Sequence, residues 1–113
     1  MGTVSKEIRE QNKKLLEEYR EASILRKREI ENEVVTLNQG LVRTFLAKYL
    51  DKDLMVGSGK DADDVFQEAL LAVLRAVQTY KTPSKAQFHT YAAKAVFNSI
   101  KNTTRRLKKD PLS

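Results

Sequence analysis

The sequence of 113 residues has no cysteine, a single histidine and no apolar run near the roughly 20 residues that a membrane-spanning helix needs. Without cysteine there is no disulfide and no thiolate metal site, and a reducing compartment such as the cytoplasm fits this composition. His89 has no carboxylate pair or nucleophile near it in a recognisable catalytic pattern. We therefore expect a cytoplasmic protein that is not an enzyme, uses no metal or cofactor and does not enter a membrane.

The net charge of +6 is unevenly distributed along the chain. Residues 81–113 contain eight Lys/Arg and one acidic residue, whereas residues 1–80 contain 13 Lys/Arg and 14 acidic residues. A near-neutral first part followed by a strongly basic end indicates a polyanion-binding surface that is presented by a scaffold.

Apolar residues recur at helical spacing through most of the chain, and no segment has the alternation of a strand. The pattern predicts an all-α fold, a compact bundle of about four helices in one domain. Its segments are an N-terminal helix within 1–23, a second helix within 24–50, a loop at 51–60, a third helix at 61–80 and a basic segment with a fourth helix at 81–110. We expect Ser5 to be the N-cap of the first helix.

Gly40 and the sequence at 57–60 both bear on where the predicted helices begin and end. Gly40 lies in the middle of the second predicted helix, and because the apolar pattern continues past it, we expect it to permit a close helix crossing and not to end the helix. Gly57-Ser58-Gly59-Lys60 fails as a phosphate-binding loop, since no strand precedes it, its glycine spacing is wrong and Asp61 follows the lysine. We interpret 51–60 as a flexible connection.

The stretch 87–109 contains no glycine, proline or acidic residue. Steps of four and three place its polar and basic residues on one side of a helix, namely Lys94, Asn98, Lys101, Arg105 and Lys108. Phe88 and Tyr91 lie at the beginning of this helix. A basic helical stripe with aromatic residues at one end is typical of a surface that binds phosphates and stacks on bases. The alternative interpretation is a solvated charged face above buried aromatic residues.

Four segments, taken in order, resemble the sigma factors of bacterial RNA polymerase. LLEEYREAS at 15–23 and NQGLVRTFLAKYL at 38–50 resemble the segment that leads into their second conserved region and the first helix of that region. DVFQEALLAVLRAVQTY at 64–80 resembles their core-binding helix, and FHTYAAKAVFNSI at 88–100 resembles their promoter-reading helix. The resemblance implies the helical fold of sigma region 2 and a role in transcription initiation.

The resemblance also implies partners for particular residues. In that family, the helix matching 64–80 docks on a coiled coil in the largest subunit of the RNA polymerase core, and the matching contact residues are Asp64, Gln67 and Glu68. The next segment of the family captures unpaired bases of the minus-10 promoter element on the non-template strand. The residues that match this base-capturing surface are Tyr80, Phe88, Thr90 and Tyr91. Asn98 and Lys101 match the pair that reads the upstream edge of the element while it is still double-stranded. The resemblance also implies that the basic residues of the stripe contact phosphate groups of the DNA.

Departures from the family pattern place the chain closer to alternative than to primary sigma factors. Lys94 and Ala95 stand where primary members have adjacent tryptophans, which implies promoter melting that is weaker or more dependent on sequence. Ser84 replaces the usual arginine, which puts the preference for adenine in doubt. Nothing in the chain resembles the domain that reads the minus-35 element. We therefore expect an excised region or one half of a split factor, with a separate minus-35-reading subunit.

Two other functions fit the same residues. A generic basic helical DNA-binding domain would bind any DNA in a salt-dependent way without polymerase. A sigma-like interaction protein would occupy the polymerase site, or capture an anti-sigma factor, without reading a promoter. Capture of core polymerase by the tagged chain would distinguish these functions.

Overall fold

The computed structural model describes residues 5–49, 59–81 and 87–109, without the side chains of 59–61, 108 and 109. Within these ranges the chain forms five helices and no strand. They are α1 (Lys6–Glu21), α2 (Ile24–Leu37), α3 (Gln39–Tyr49), α4 (Gly59–Thr79) and α5 (Phe88–Lys109). The prediction of an all-α fold is confirmed, and the expected number of about four helices is corrected to five. None of the helices in the described ranges is long and apolar enough to cross a membrane.

Serine side chains begin the first two helices. The Oγ of Ser5 accepts a hydrogen bond from the backbone N–H of Ile8 (3.2 Å), and the Oγ of Ser23 accepts one from the N–H of Arg26 (3.2 Å). Each bond satisfies an N–H group that the first turn of a helix leaves without a partner. Ser23 therefore begins α2 with only Ala22 and Ser23 between it and the end of α1. The predicted loop at 51–60 lies outside the described residues except for 59 and 60, which begin α4.

The second predicted helix is interrupted at Asn38, which is the source of the additional helix. Asn38 has φ −102° and ψ 12°, outside the geometry of either neighbouring helix. Its side-chain amide donates to the carbonyl oxygen of Val34 (2.7 Å) and to Oδ1 of Asn12 (2.8 Å), while its own Oδ1 accepts from Asn12 at 3.2 Å. Both asparagines are only 1% exposed. The buried side chain of Asn38 thus ends α2 by bonding to the backbone and to a partner 26 residues away. Apolar spacing alone predicts that the helix continues past this residue.

Gly40 has a different role from the one predicted. A Cβ atom placed on Gly40 would have no heavy atom within 4 Å, so the residue does not permit a close helix crossing. It lies exposed in the first turn of α3, and the neighbouring Leu41 and Val42, at 2% and 0% exposure, make the packing contacts there.

The hydrophobic core draws on every helix. Its buried members are Leu16, Ile30, Val34, Val42, Val65, Ala69, Val73, Ala76, Val77, Phe88, Ala92, Val96 and Ile100. The α4 and α5 helices supply most of them at helical spacing, because each has one continuous apolar side. These two helices therefore form the centre of the domain, and α1, α2 and α3 pack against them.

Polar contacts fix the outer helices to this centre. Tyr19 of α1 donates a hydrogen bond from its hydroxyl to Oε2 of Glu31 on α2 (2.7 Å), and Gln78 of α4 donates to the same oxygen at 3.4 Å. Burial and the Glu31 carboxylate raise the pKa of Tyr19 to about 12. On the outer surface, Arg26 forms two hydrogen bonds with Glu18, at 2.6 and 3.0 Å, which join α1 to α2.

Candidate nucleic-acid and polymerase interface

One side of α4 presents the residues that we expected to contact polymerase. Asp64 and Gln67 are exposed and Glu68 is half-buried, and spacings of three and four residues place all three on the same side of the helix. Leu71 continues this side one turn further and is 41% exposed. An exposed leucine beside an acidic and an amide side chain makes a mixed apolar and acidic patch, which suits a protein partner better than DNA.

Three aromatic rings meet where α4 ends and α5 begins. The ring of Tyr80 contacts Phe88 edge-on, with centroids 5.4 Å apart, and Tyr91 at an interplanar angle of 53°, also at 5.4 Å. The hydroxyl groups of Tyr91 and Thr79 lie 2.8 Å apart, at hydrogen-bonding distance. Since Thr79 is the last residue of α4 and Tyr91 lies in the first turn of α5, this contact joins the end of one helix to the beginning of the next.

The residues expected to capture bases differ in their access to solvent. Phe88 is only 4% exposed and belongs to the core, so the ring is not presented to a base in this structure. The expected role of Phe88 is revised accordingly, because its ring packs on the apolar side of α5. Tyr91 is 36% exposed, Thr90 is exposed and Tyr80 is half-buried. Tyr91 is thus the ring of this cluster that a base can reach.

The predicted basic stripe lies on the solvent side of α5. Lys94, Asn98, Lys101 and Arg105 are all exposed, while the side chain of Lys108 lies outside the described residues. Every salt bridge found in the described part of the chain involves Arg26 on α2. None of the carboxylates in the described part therefore neutralises a residue of the stripe. The ammonium group of Lys101 lies 5.8 Å from the ring centroid of Phe97, on the side of the stripe that faces α3. A row of cations that no carboxylate neutralises attracts phosphate groups.

His89, the residue before Thr90, is half-buried near α1. Burial, together with the positive charge of Arg9 on α1, lowers the pKa of His89 below its usual value of 6.5. Within the described ranges no group of three His, Cys, Asp or Glu side chains is arranged to hold a metal ion. The chemistry of this surface is therefore that of charge, amide and aromatic contacts.

Comparison with known protein families settles the affiliation of the chain. The profile of sigma-70 region 2 matches residues 34–110, which include the end of α2 and all of α3, α4 and α5. The chain belongs to the sigma-70 family. Sigma region 2 is a non-enzymatic domain of transcription initiation that binds RNA polymerase core and promoter DNA. No curated protein and no solved structure matches the chain significantly.

Within this sigma domain, spacing and resemblance missed three residues of interest. Leu71 was not part of the predicted docking patch, although it lies seven residues after Asp64 and hence on the same side of α4. Arg75 of α4 and Arg106 of α5 both line a groove between the two helices. Helical spacing places Arg75 on the docking side, but only the packing of two helices shows that both arginines border one groove.

Proposed function

We propose that this sigma domain docks on the coiled coil of the largest subunit of RNA polymerase core through α4, and captures unpaired non-template bases of the minus-10 element through α5. The observation that carries the proposal is the separation of two chemically different surfaces. The mixed acidic and apolar patch of Asp64, Gln67 and Glu68 lies on α4, and the unneutralised basic stripe with Tyr91 at its beginning lies on α5. A domain with two such surfaces can hold polymerase and DNA at the same time.

Capture of purified core polymerase by the tagged chain tests the docking part. We expect Gln67→Ala combined with Glu68→Lys to abolish capture, because truncating a contact near the centre of an interface can cost more than about 2 kcal/mol. Gln11→Ala combined with Glu17→Lys makes the same chemical changes at exposed positions of α1 and provides the matched control. If the α4 variant keeps its helical content and still captures core enzyme as well as the parent does, the docking surface is not on α4.

Base capture is assigned to Tyr91, with Tyr80 bracing the ring and the exposed hydroxyl of Thr90 beside it. Stacking of an aromatic side chain on a base contributes about 1–3 kcal/mol, judged by alanine substitution. Tyr91→Ala should weaken binding of a non-template oligonucleotide to the polymerase complex by that amount. Tyr91→Phe retains the ring and should retain most of the affinity. Equal losses in both variants would show that the hydroxyl, and not stacking, is responsible.

The stripe on α5 divides into two roles in this proposal. Asn98 and Lys101 read base edges at the upstream duplex end of the element, whereas Lys94, Arg105 and Lys108 contact phosphates. Replacing Asn98 and Lys101 by alanine should change which base pair is preferred, with about 1–3 kcal/mol per mismatch. Replacing Arg105 should weaken binding to every sequence and lower the salt slope by nearly one unit. An unchanged base preference in the first variant would leave a sequence-independent DNA-binding domain.

A sigma-like protein that blocks polymerase or captures an anti-sigma factor would use the α4 patch alone. Under that function the Gln67 and Glu68 changes would have the effect described, but Tyr91→Ala and the stripe variants would not alter any activity of the polymerase complex. Comparing the two sets of variants in the same transcription assay therefore distinguishes the proposed function from this one.

A further inference from the structure

The two most exposed large apolar side chains of the described residues are neighbours at the beginning of α2. Ile24 is 74% exposed and Leu25 is 77% exposed, whereas Tyr49 and Leu71, the next in order, are each 41% exposed. Two adjacent aliphatic side chains left in water indicate a contact surface, because burying them is strongly favourable. The part of the chain that matches sigma-70 region 2 begins at residue 34, so this surface lies outside the matched region.

The apolar pair stands at the tip of a hairpin that α1 and α2 form. Glu18 bonds to Arg26 near the connection between the helices, and Asn12 bonds to Asn38, the residue after α2. Residues farther from the connection in one helix thus meet residues farther from it in the other. The two helices therefore run back side by side from the connection, and we call residues 17–28 the hairpin tip.

Charges of opposite sign accompany the apolar pair at the hairpin tip. Glu17 and Glu21 lie four residues apart, on one side of α1. Arg28 lies three residues after Leu25, on the same side of α2. All three charged side chains are exposed, and none takes part in a salt bridge that the described residues form with one another. The tip thus presents carboxylates on one helix and a guanidinium group on the other.

The two helices do not stabilise these charges by themselves. Glu21 is the last residue of α1, where the partial negative charge of the helix end disfavours a carboxylate, and Glu17 one turn earlier adds a like charge. The first turn of α2 contains no acidic residue, and Arg28 follows in the second turn, so the sign of charge is also unfavourable at that helix end. Opposite charges supplied by a partner would stabilise both ends.

We propose that the hairpin tip binds the tip of a second copy of this chain in a two-fold arrangement. A two-fold axis brings α1 of one copy to α2 of the other, and every contact then occurs twice. Arg28 lies four residues into α2, about 6 Å from the level at which Glu21 ends α1. Side chains lean toward the N-terminus of their helix, so Arg28 leans toward the connection and Glu21 leans away from it. The two charges therefore approach each other across the axis, and Ile24 and Leu25 of both copies are buried together.

A second copy fits the hairpin tip better than nucleic acid or a lipid surface does. Nucleic acid and anionic lipid headgroups are repelled by Glu17 and Glu21, whereas the chain itself presents a cation that matches these carboxylates. With two apolar side chains from each copy, the buried area is at the small end for a specific interface. The dimer should therefore be weak and form at about 10–100 μM chain.

Sedimentation equilibrium of the full chain at about 5–500 μM measures this self-association. We expect a monomer–dimer equilibrium in the parent. Ile24→Ser with Leu25→Ser should weaken dimerisation at least about tenfold while helical content stays unchanged, because the apolar contact is at the centre of the interface. A parent chain that remains monomeric over the whole range would overturn the inference. Species that grow beyond the dimer would also overturn it, because a two-fold contact closes on itself.

Reversing the two charges separately tests the two-fold arrangement. Glu21→Lys and Arg28→Glu should each weaken self-association about tenfold, because like charges then face each other at both contacts. An equimolar mixture of the two variants restores opposite charges at both contacts and should dimerise like the parent. Glu10→Lys lies about 16 Å before Glu21 along α1 and is the matched control, which should not alter self-association. If the parent dimerises but the mixture stays as weak as each variant, Glu21 and Arg28 do not meet and the arrangement is rejected.

Capture of purified core polymerase distinguishes a second copy from another protein partner. The Ile24 and Leu25 variant should lose self-association and retain capture. If it instead sediments like the parent and loses capture, the hairpin tip belongs to the polymerase interface and the inference is overturned. The Gln67 and Glu68 variant should show the opposite behaviour, so failure of the α4 docking assignment and failure of the dimer are separate results.

Discussion

The buried asparagine pair offers the sharpest test of how this domain is held together. Asn12 and Asn38 exchange two side-chain hydrogen bonds, at 2.8 and 3.2 Å, and both are 1% exposed. Replacing one of them by leucine leaves the amide of the other buried without its partner, at a cost of about 1–3 kcal/mol. Replacing both removes every buried amide at this position, so the second replacement should add little to the cost of the first.

We therefore expect a double-mutant cycle with strong coupling. Asn12→Leu and Asn38→Leu should each destabilise the domain by about 2 kcal/mol, and the double variant should be less destabilised than the sum by a similar amount. In urea, with a slope of about 2 kcal/mol per molar, each single variant would shift the unfolding midpoint by about 1 M.

Equilibrium unfolding followed by circular dichroism measures the cycle. Asn32→Leu, at an exposed position of α2, controls for the added apolar surface. Additivity within about 0.5 kcal/mol would refute the reasoning, because it would mean that the two amides do not depend on each other. Additional helicity in the double variant would further show that the pair is what keeps α2 and α3 separate.

Three further predictions concern single positions. Gly40→Ala should stabilise the domain by about 0.4–1 kcal/mol, measured by urea unfolding, because the new methyl group meets open space and the unfolded chain loses freedom. Phe88→Ala should cost about 3–5 kcal/mol of stability, as expected for a core aromatic residue, whereas Tyr91→Ala should cost much less; equal costs would contradict the assignment of Tyr91 to the surface. Because folding lowers the pKa of His89, the unfolded chain binds more protons near pH 6 than the folded chain does. The free energy of unfolding should therefore reach its full value above about pH 6.5 and decline as the pH falls below it. His89→Gln should flatten this decline, measured as unfolding midpoints from about pH 7.5 to pH 5.5. If the decline is unchanged in the variant, other titrating groups cause it.

Much of the fold could be predicted from the sequence because α4 and α5 are long helices with continuous apolar sides. Val65, Ala69 and Val73 recur at helical spacing, and no tertiary contact is needed to see the pattern. The break at Asn38 could not be predicted in this way. It depends on Asn12, which lies in another helix, and the local sequence around Asn38 is compatible with a continuous helix.

The candidate site was predictable to the extent that helical spacing determines which side of a helix a residue occupies. The exposure of Lys94, Asn98 and Lys101 follows from spacing alone. For Phe88 two interpretations were open, since the resemblance placed the ring among base contacts and the alternative placed buried aromatic residues beneath a charged face. The structure agrees with the alternative for this residue. The groove between α4 and α5 required the packing of two helices and had no signature in either helix alone.

The aromatic cluster at the junction of α4 and α5 has a consequence for the thermodynamics of binding. The ring of Tyr91 rests against Tyr80, and its hydroxyl lies 2.8 Å from that of Thr79, so its orientation is fixed before any ligand arrives. A base that stacks on a preorganised ring loses little side-chain entropy on binding. The same contacts join the ends of two helices, so warming that loosens this junction would remove the stacking platform before the helices themselves melt. Affinity for unpaired DNA should therefore decline at lower temperatures than helical content does.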